Sequence, residues 1–190
     1  MNDEPPEPRP RVIVGTREAG VVGEGVLENG GADRWVALAE HVLDDAGLGR
    51  TPIELTVHFV DEPEMAELNR DHLGGDGPTD VLAFPVDDPG EVPEGLPVLL
   101  GDVVICPAVA TRQATGGGLE AELSLLLVHG ILHLLGHDHA EPDERSAMQE
   151  TERRVLDGFC NEGAFALHCA AAGAASTVGI DISESAITVA

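Results

Sequence analysis

The sequence predicts an α+β domain, with a sheet of about four mostly parallel strands, helices around it and one apolar helix at its centre. Strand-like and helix-like segments alternate along the chain, and the strand-like ones are rich in valine, leucine and isoleucine. Residues 119–135 form a long apolar helical pattern with few polar interruptions. A chain of 190 residues, 43% of them hydrophobic, has room for one such domain and a sizeable core.

The N-terminal part begins with residues 1–10, which are rich in proline and glutamate and are predicted to be disordered. Residues 11–15 form a short β-like run. Residues 32–48 are predicted to be an amphipathic helix, since apolar residues recur on one side of it. That side comprises Trp35, Leu38, Ala39, Val42 and Leu43. Residues 53–60 alternate apolar and polar side chains, which indicates a half-buried strand with His58 on the side away from the core.

A second helix is predicted to begin after Asp61, because an aspartate cap, an early proline and a glutamate three residues after the cap are typical of a helix start. It extends to about Leu73. Its predicted buried side consists of Met65, Leu68, His72 and Leu73. The remaining elements are two strands and three helices, predicted at 79–84, 98–106, 107–115, 119–135 and 143–157.

Three histidines in and after the central helix predict a metal site. His129 and His133 are four residues apart, so a helix places both imidazoles on one face, one turn apart. Gly136 is predicted to end that helix in a left-handed conformation, which lets the chain turn back and bring His139 towards the other two. Three neutral imidazoles that converge on one point form a tetrahedral site with one open position. Three histidines favour Zn²⁺, one ion per chain, although Ni²⁺ or Co²⁺ would fit the same ligands.

Two polar residues of the turn are assigned supporting roles. His137 is predicted to be exposed or to support a ligand from outside the site, and it is the nearby candidate for a fourth ligand if the metal is structural. Asp138, next to a predicted ligand, is a candidate for orienting an imidazole.

The histidine spacing is that of the metzincin metalloproteases, with one difference. Those enzymes have a glutamate, the general base, directly after the first histidine, and this chain has Gly130 there. The predicted site is therefore metzincin-like in its ligands and lacks the base that a peptidase needs.

Three segments resemble the YbeY family of bacterial endoribonucleases and ribosomal RNA maturation factors. The first is the segment from His129 to His139, with Gly130, His133, Gly136 and Asp138 at the family's positions. The second is similar to the family's P-T-D-V-L-S-F-P block and reads Pro78-Thr79-Asp80-Val81-Leu82-Ala83-Phe84-Pro85. The third is similar to its L-G-D strand and reads Leu100-Gly101-Asp102-Val103-Val104-Ile105-Cys106.

This resemblance implies a zinc-dependent endoribonuclease specific for single strands, which matures the 3′ end of 16S ribosomal RNA and acts in ribosome quality control. It implies ribosomal RNA and the small ribosomal subunit as partners, and residues 11–157 as the catalytic domain. The family has an arginine that lines the cleft where this chain has Leu73, and Arg70 is the nearest replacement as a catalytic residue. Two alternatives stay open at this stage: a metzincin-like metallopeptidase, and a non-catalytic ribosome-assembly factor with structural zinc.

The C-terminal residues 158–190 are predicted to be an extension. From Val155 onwards the chain is similar to the first βαβ unit of a class I S-adenosylmethionine-dependent ribosomal RNA methyltransferase. In that resemblance Asp181 would hold a ribose. One βαβ unit cannot bury both faces of a sheet or form a substrate site, so we expect no methyltransferase activity and no organic cofactor.

The charge of the chain argues against a general affinity for nucleic acid. The formal net charge is −25, with ten basic residues, and phosphate binding relies on basic side chains. RNA contact would therefore need a local basic patch or the metal, and no DNA partner is expected. The sequence shows no secretory signal and no apolar run of membrane-spanning length, and three cysteines suggest no disulfide framework. The expected location is the cytoplasm, without a membrane partner.

Overall fold

The computed structural model describes residues 9–16, 26–27, 31–93, 95–114, 117–138 and 141–159. The predicted disordered segment, the C-terminal extension from residue 160 and His139 therefore lie wholly or mainly outside the described residues. The strands are β1 (Arg11–Thr16), β2 (Ile53–Phe59), β3 (Val81–Pro85) and β4 (Val98–Ile105). The helices are α1 (Gly31–Asp45), α2 (Glu62–Leu73), α3 (Pro107–Gln113), α4 (Gly118–Leu134) and α5 (Pro142–Phe159).

The four strands form one mixed sheet in the order β1-β2-β4-β3. β1 pairs with β2 and β2 with β4 in parallel, whereas β3 pairs with β4 in antiparallel orientation. The prediction of an α+β fold with a mostly parallel sheet of about four strands is confirmed. β4 lies inside the sheet, as its apolar sequence indicates.

The larger of two apolar clusters lies between one face of the sheet and helices α1, α4 and α5. All five residues of the predicted apolar side of α1 are buried there, and α4 contributes most of its length. Val103 belongs to this cluster, whereas its neighbour Val104 belongs to the smaller cluster with Met65 of α2 and Cys106. Because successive side chains of a strand point to opposite faces, the two clusters cover the two faces of the sheet.

Helix α2 begins as its sequence predicts, and its buried side is smaller than predicted. The Asp61 carboxylate accepts a hydrogen bond from the Glu64 backbone N–H at 2.9 Å, which caps the helix. Met65 is fully buried, but His72 is exposed and Leu73 is 70% exposed. The prediction that these last two residues are buried is therefore wrong, although the His72 ring still meets the ring of Phe84 on β3 edge to face, with centroids 4.8 Å apart.

Gly101 has a role that the family-like motif did not explain. The pairing of β2 with β4 shifts by one residue between Glu54 and Leu55, and Gly101 stands at this bulge with φ of +132°. A Cβ atom there would collide with the carbonyl oxygen of Phe84 on β3. Only glycine combines that backbone conformation with so close an approach of the neighbouring strand.

Helix α5 extends further than its sequence predicts. Val155 lies inside the helix predicted at 143–157, which is confirmed and continues to Phe159. The competing interpretation, in which a βαβ-like stretch begins with a strand at Val155, is wrong at its start. Met148, Val155 and Leu156 are buried, and their contacts with the core stabilise the helix over this stretch. The rest of the methyltransferase-like stretch lies outside the described residues.

In the described part of the chain, no single helix has both the length and the apolar character needed to cross a membrane. Only α3 and α4 taken together meet that criterion, and they are bent by 115° relative to each other.

Candidate functional site

The structure brings together two of the three predicted metal ligands. The Nε2 atoms of His129 and His133 lie 3.1 Å apart on the same face of α4, and their rings meet edge to face. Two nitrogens on one tetrahedral zinc, each at about 2.0–2.1 Å from the ion, would lie about 3.3–3.4 Å apart. Two imidazole lone pairs repel each other at such a distance unless a proton or a cation lies between them. The spacing of the pair therefore fits both a hydrogen bond between the two rings and a shared metal ion.

The end of α4 turns the chain immediately after these histidines. The Gly136 N–H bonds to the carbonyl of His133 at 3.0 Å, and the His137 N–H bonds to that of Leu132 at 3.0 Å. Gly136 adopts φ of +85°, so this is a Schellman motif with glycine in the left-handed position, as the sequence predicts. His137 and Asp138, which follow, are exposed.

His139, the third predicted ligand, lies outside the described residues. Within the described ranges, no group of three or more histidine, cysteine, aspartate or glutamate side chains is close enough to hold a metal ion. The assignment of His139 as a ligand stays a prediction.

Glu152 of α5 contacts the site, and no pattern in the sequence predicted this contact. Its Oε1 atom lies 2.7 Å from Nδ1 of His129, and the residue is only 8% exposed. The residues predicted from the sequence to support the ligands were Asp138 and His137, with Asp80 and Asp102 as unranked alternatives, and Glu152 was not among them. The available signal was the position of Glu152, four residues after Met148 and three before Val155, in the middle of an apolar helical face.

Gly130 marks the point where α4 packs most closely on the sheet. A Cβ atom at this position would lie 2.6 Å from Cγ1 of Val103 and 3.4 Å from Cγ2 of Val81. Real Cβ atoms do not approach methyl groups so closely, because interiors are already close-packed. The position that holds the general base in metzincins therefore cannot take a side chain here unless Val103 shifts.

Arg70 lies on the exposed surface of α2. Its side chain is 63% exposed, Nε donates a hydrogen bond to Asp71 at 3.0 Å, and a terminal nitrogen lies 3.8 Å from Glu67. These are surface ion pairs, which are weak and readily exchanged. The catalytic assignment of Arg70 stays a prediction.

Other arginines also face acidic side chains, which limits the positive potential of the surface. The pairs are Arg11–Glu54, Arg34–Glu120, Arg112–Glu62 and Arg154–Asp45. Paired arginines contribute little net attraction for phosphate.

The other polar residues of the motifs have structural contacts. The Asp80 carboxylate accepts hydrogen bonds from the Val81 N–H at 2.8 Å and the Thr79 hydroxyl at 2.9 Å, so it caps β3. Asp102 lies 3.7 Å from the imidazole of His58 across the paired strands. Cys106 is a core residue, and its burial raises the pKa of the thiol, which keeps it protonated.

Comparison with known proteins identifies the family. A family model described as Endoribonuclease YbeY matches residues 28–160. The Endoribonuclease YbeY of Salinispora tropica is 50% identical over 134 residues, which cover 65% of this chain and 85% of that protein. That of Beutenbergia cavernae is 49% identical over 131 residues, which cover 66% of this chain and 86% of that protein.

A solved structure supports the fold alone. The solution structure of a Thermotoga maritima protein superimposes with a TM-score of 0.51 and 24% identity, covering 88% of this chain and 97% of that one. From the family model and the relatives, the chain belongs to the YbeY endoribonuclease family.

Proposed function

We propose that this chain is a zinc-dependent endoribonuclease that cuts single-stranded RNA during ribosomal RNA maturation, with residues 11–157 as its catalytic domain. The name of its relatives supports the RNA-cutting activity. The observation that carries the metal dependence is the 3.1 Å approach of the His129 and His133 Nε2 atoms. We propose His139 as the third ligand, the small ribosomal subunit as partner and the cytoplasm as location.

Several side chains of this domain prepare the site for an anionic substrate. His129 and His133 are neutral ligands, so a bound ion keeps its full charge for a phosphate group. A zinc ion held by His129, His133 and the proposed His139 would supply Lewis-acid chemistry at a phosphoryl oxygen. Oε1 of Glu152 lies 2.7 Å from Nδ1 of His129, while Nε2 of the same ring lies 3.1 Å from Nε2 of His133.

The metallopeptidase alternative conflicts with the packing of α4. Peptide hydrolysis at a metzincin site uses a glutamate next to the first ligand, and Gly130 is packed against Val103 without space for one. We therefore propose RNA and not protein as the substrate.

The experiment that tests this proposal compares three substrates for the same zinc-loaded chain. A single-stranded ribosomal RNA fragment should be cut, whereas its duplex form and casein should not. A chelator should stop cutting and added Zn²⁺ should restore it, because the site then regains its ion. Cleavage of casein without cleavage of RNA would contradict the proposal and favour the peptidase.

The acidic surface gives a further expectation about salt. A protein that binds RNA through many basic side chains loses about 10³–10⁵ in affinity between about 50 and 200 mM salt. This chain has a formal net charge of −25. Several of its described arginines, such as Arg11 and Arg112, are paired with carboxylates. We expect kcat/KM for a short single-stranded RNA to stay level or rise over that range. A steep fall would reveal a basic binding surface that this account does not include.

A further inference from the structure

We propose that Glu152 is a positioning residue, whose carboxylate fixes the tautomer and orientation of His129 so that Nε2 faces the metal site. The inference rests on the proposed metal-dependent function. It concerns an acid on α5, which is 23 residues from His129 in the chain and outside the histidine motif.

The contact has the properties of a charge-assisted hydrogen bond. Its length of 2.7 Å is at the short end of the range for nitrogen–oxygen pairs. Glu152 is 8% exposed, and a carboxylate is rarely so buried without a partner that offsets its lost hydration. An apolar residue beside Met148 and Val155 would pack there without that cost. Packing of the core therefore does not account for a glutamate at this position, whereas its hydrogen bond to His129 does.

The contact also determines which ring nitrogen of His129 carries the proton. An ionised carboxylate only accepts hydrogen bonds, so Nδ1 must be the donor and Nε2 must carry the lone pair. That lone pair lies 3.1 Å from Nε2 of His133. In the metal-free protein the His133 Nε2–H would donate to it, and a metal ion would take the place of that proton. A carboxylate behind a ligating imidazole also raises its basicity as a ligand.

A purely structural role for Glu152, joining α5 to α4, makes different predictions. A structural clamp would change the free energy of unfolding without fixing a tautomer or changing metal affinity. The test therefore needs readouts at the imidazole and at the metal, besides RNA cleavage.

The experiment compares the unaltered chain with Glu152→Ala, Glu152→Gln and the control Glu150→Gln. Glu150 is exposed on the same helix, so its substitution removes one negative charge without touching His129. Zinc affinity is measured by competition with a chelator, and the His129 tautomer by ¹⁵N-edited NMR of the metal-free protein. Circular dichroism and thermal unfolding confirm that each variant is folded.

We expect Glu152→Ala to weaken zinc binding by about 10- to 100-fold, the usual effect of losing such a partner, and to free the His129 tautomer. Glu152→Gln keeps an acceptor but loses the charge, so it should keep the Nδ1–H tautomer and bind zinc with intermediate affinity. Glu150→Gln should match the unaltered chain. Unchanged zinc affinity in a folded Glu152→Ala, or a proton on Nε2 of His129 in the unaltered metal-free chain, would overturn the inference.

Failure of the Glu152 inference can be distinguished from failure of the proposed zinc-dependent function. If Glu152→Ala does not fold, Glu152→Gln and the tautomer in the unaltered chain still decide the question. If the unaltered chain binds no zinc, the proposed function fails. The tautomer of the metal-free protein then supports or overturns the Glu152 contact independently.

Discussion

Replacing Gly130 with alanine is expected to destabilise the fold even though alanine is the better helix former. The new Cβ would lie 2.6 Å from Cγ1 of Val103, and overpacking of this kind costs about 1–3 kcal/mol. The gain in helix propensity offsets about 1 kcal/mol of that. Glutamate, the metzincin residue, would also bury a charge against the sheet, so Gly130→Glu should not fold. Urea unfolding at an unchanged m-value measures the effect.

The matched control is the double variant Gly130→Ala/Val103→Ala. Val103→Ala alone should destabilise because it removes buried methyl groups. In the double variant, the space left by those methyl groups accommodates the new Cβ. Its loss of unfolding free energy should therefore be smaller than the sum of the two single losses, by about 0.5–3 kcal/mol. A fully stable Gly130→Glu, or strictly additive effects, would contradict the packing explanation for the absent base.

Replacing His133 with alanine is expected to remove both zinc binding and RNA cleavage. The substitution deletes one of the two Nε2 atoms that converge in α4. Loss of a residue that only supports a ligand already costs about 10- to 100-fold in metal affinity, so loss of a ligand should cost at least about 100-fold. Zinc affinity by chelator competition and initial rates of RNA cutting measure the two effects.

His137→Ala serves as the control for that experiment. His137 is exposed beyond the turn of α4, and we propose that it does not bind the metal. It should keep zinc affinity and cleavage within about twofold of the unaltered chain, as surface substitutions usually do. A His137→Ala variant that loses zinc as severely as His133→Ala would favour a closed, structural site with four protein ligands.

Local patterns predicted the elements that position the site. The apolar side of α1, the capping of α2 by Asp61 and the glycine that ends α4 each depend on neighbouring residues. The spacing of His129 and His133 is also local, so their convergence followed from helical geometry alone.

The features that were missed depend on residues far apart in the chain. Glu152 meets His129 only because α5 packs on α4, and Gly130 is required by Val103 on a distant strand. The predicted burial of Leu73 was wrong for a similar reason, since periodicity identifies a helix face but not which of its residues the rest of the fold covers. Val155 lies in α5, as the helical pattern of residues 143–157 predicts, and its burial in the core excludes the strand that the βαβ-like pattern indicated.

The metal content of the purified, unaltered chain is the measurement that tests the central claim most directly. After equilibration with Zn²⁺ and removal of excess, elemental analysis should find one zinc per chain. X-ray absorption should show nitrogen ligands at about 2.0–2.1 Å without sulfur. If the chain tightly binds neither zinc nor another metal that three histidines accept, His129 and His133 are not metal ligands.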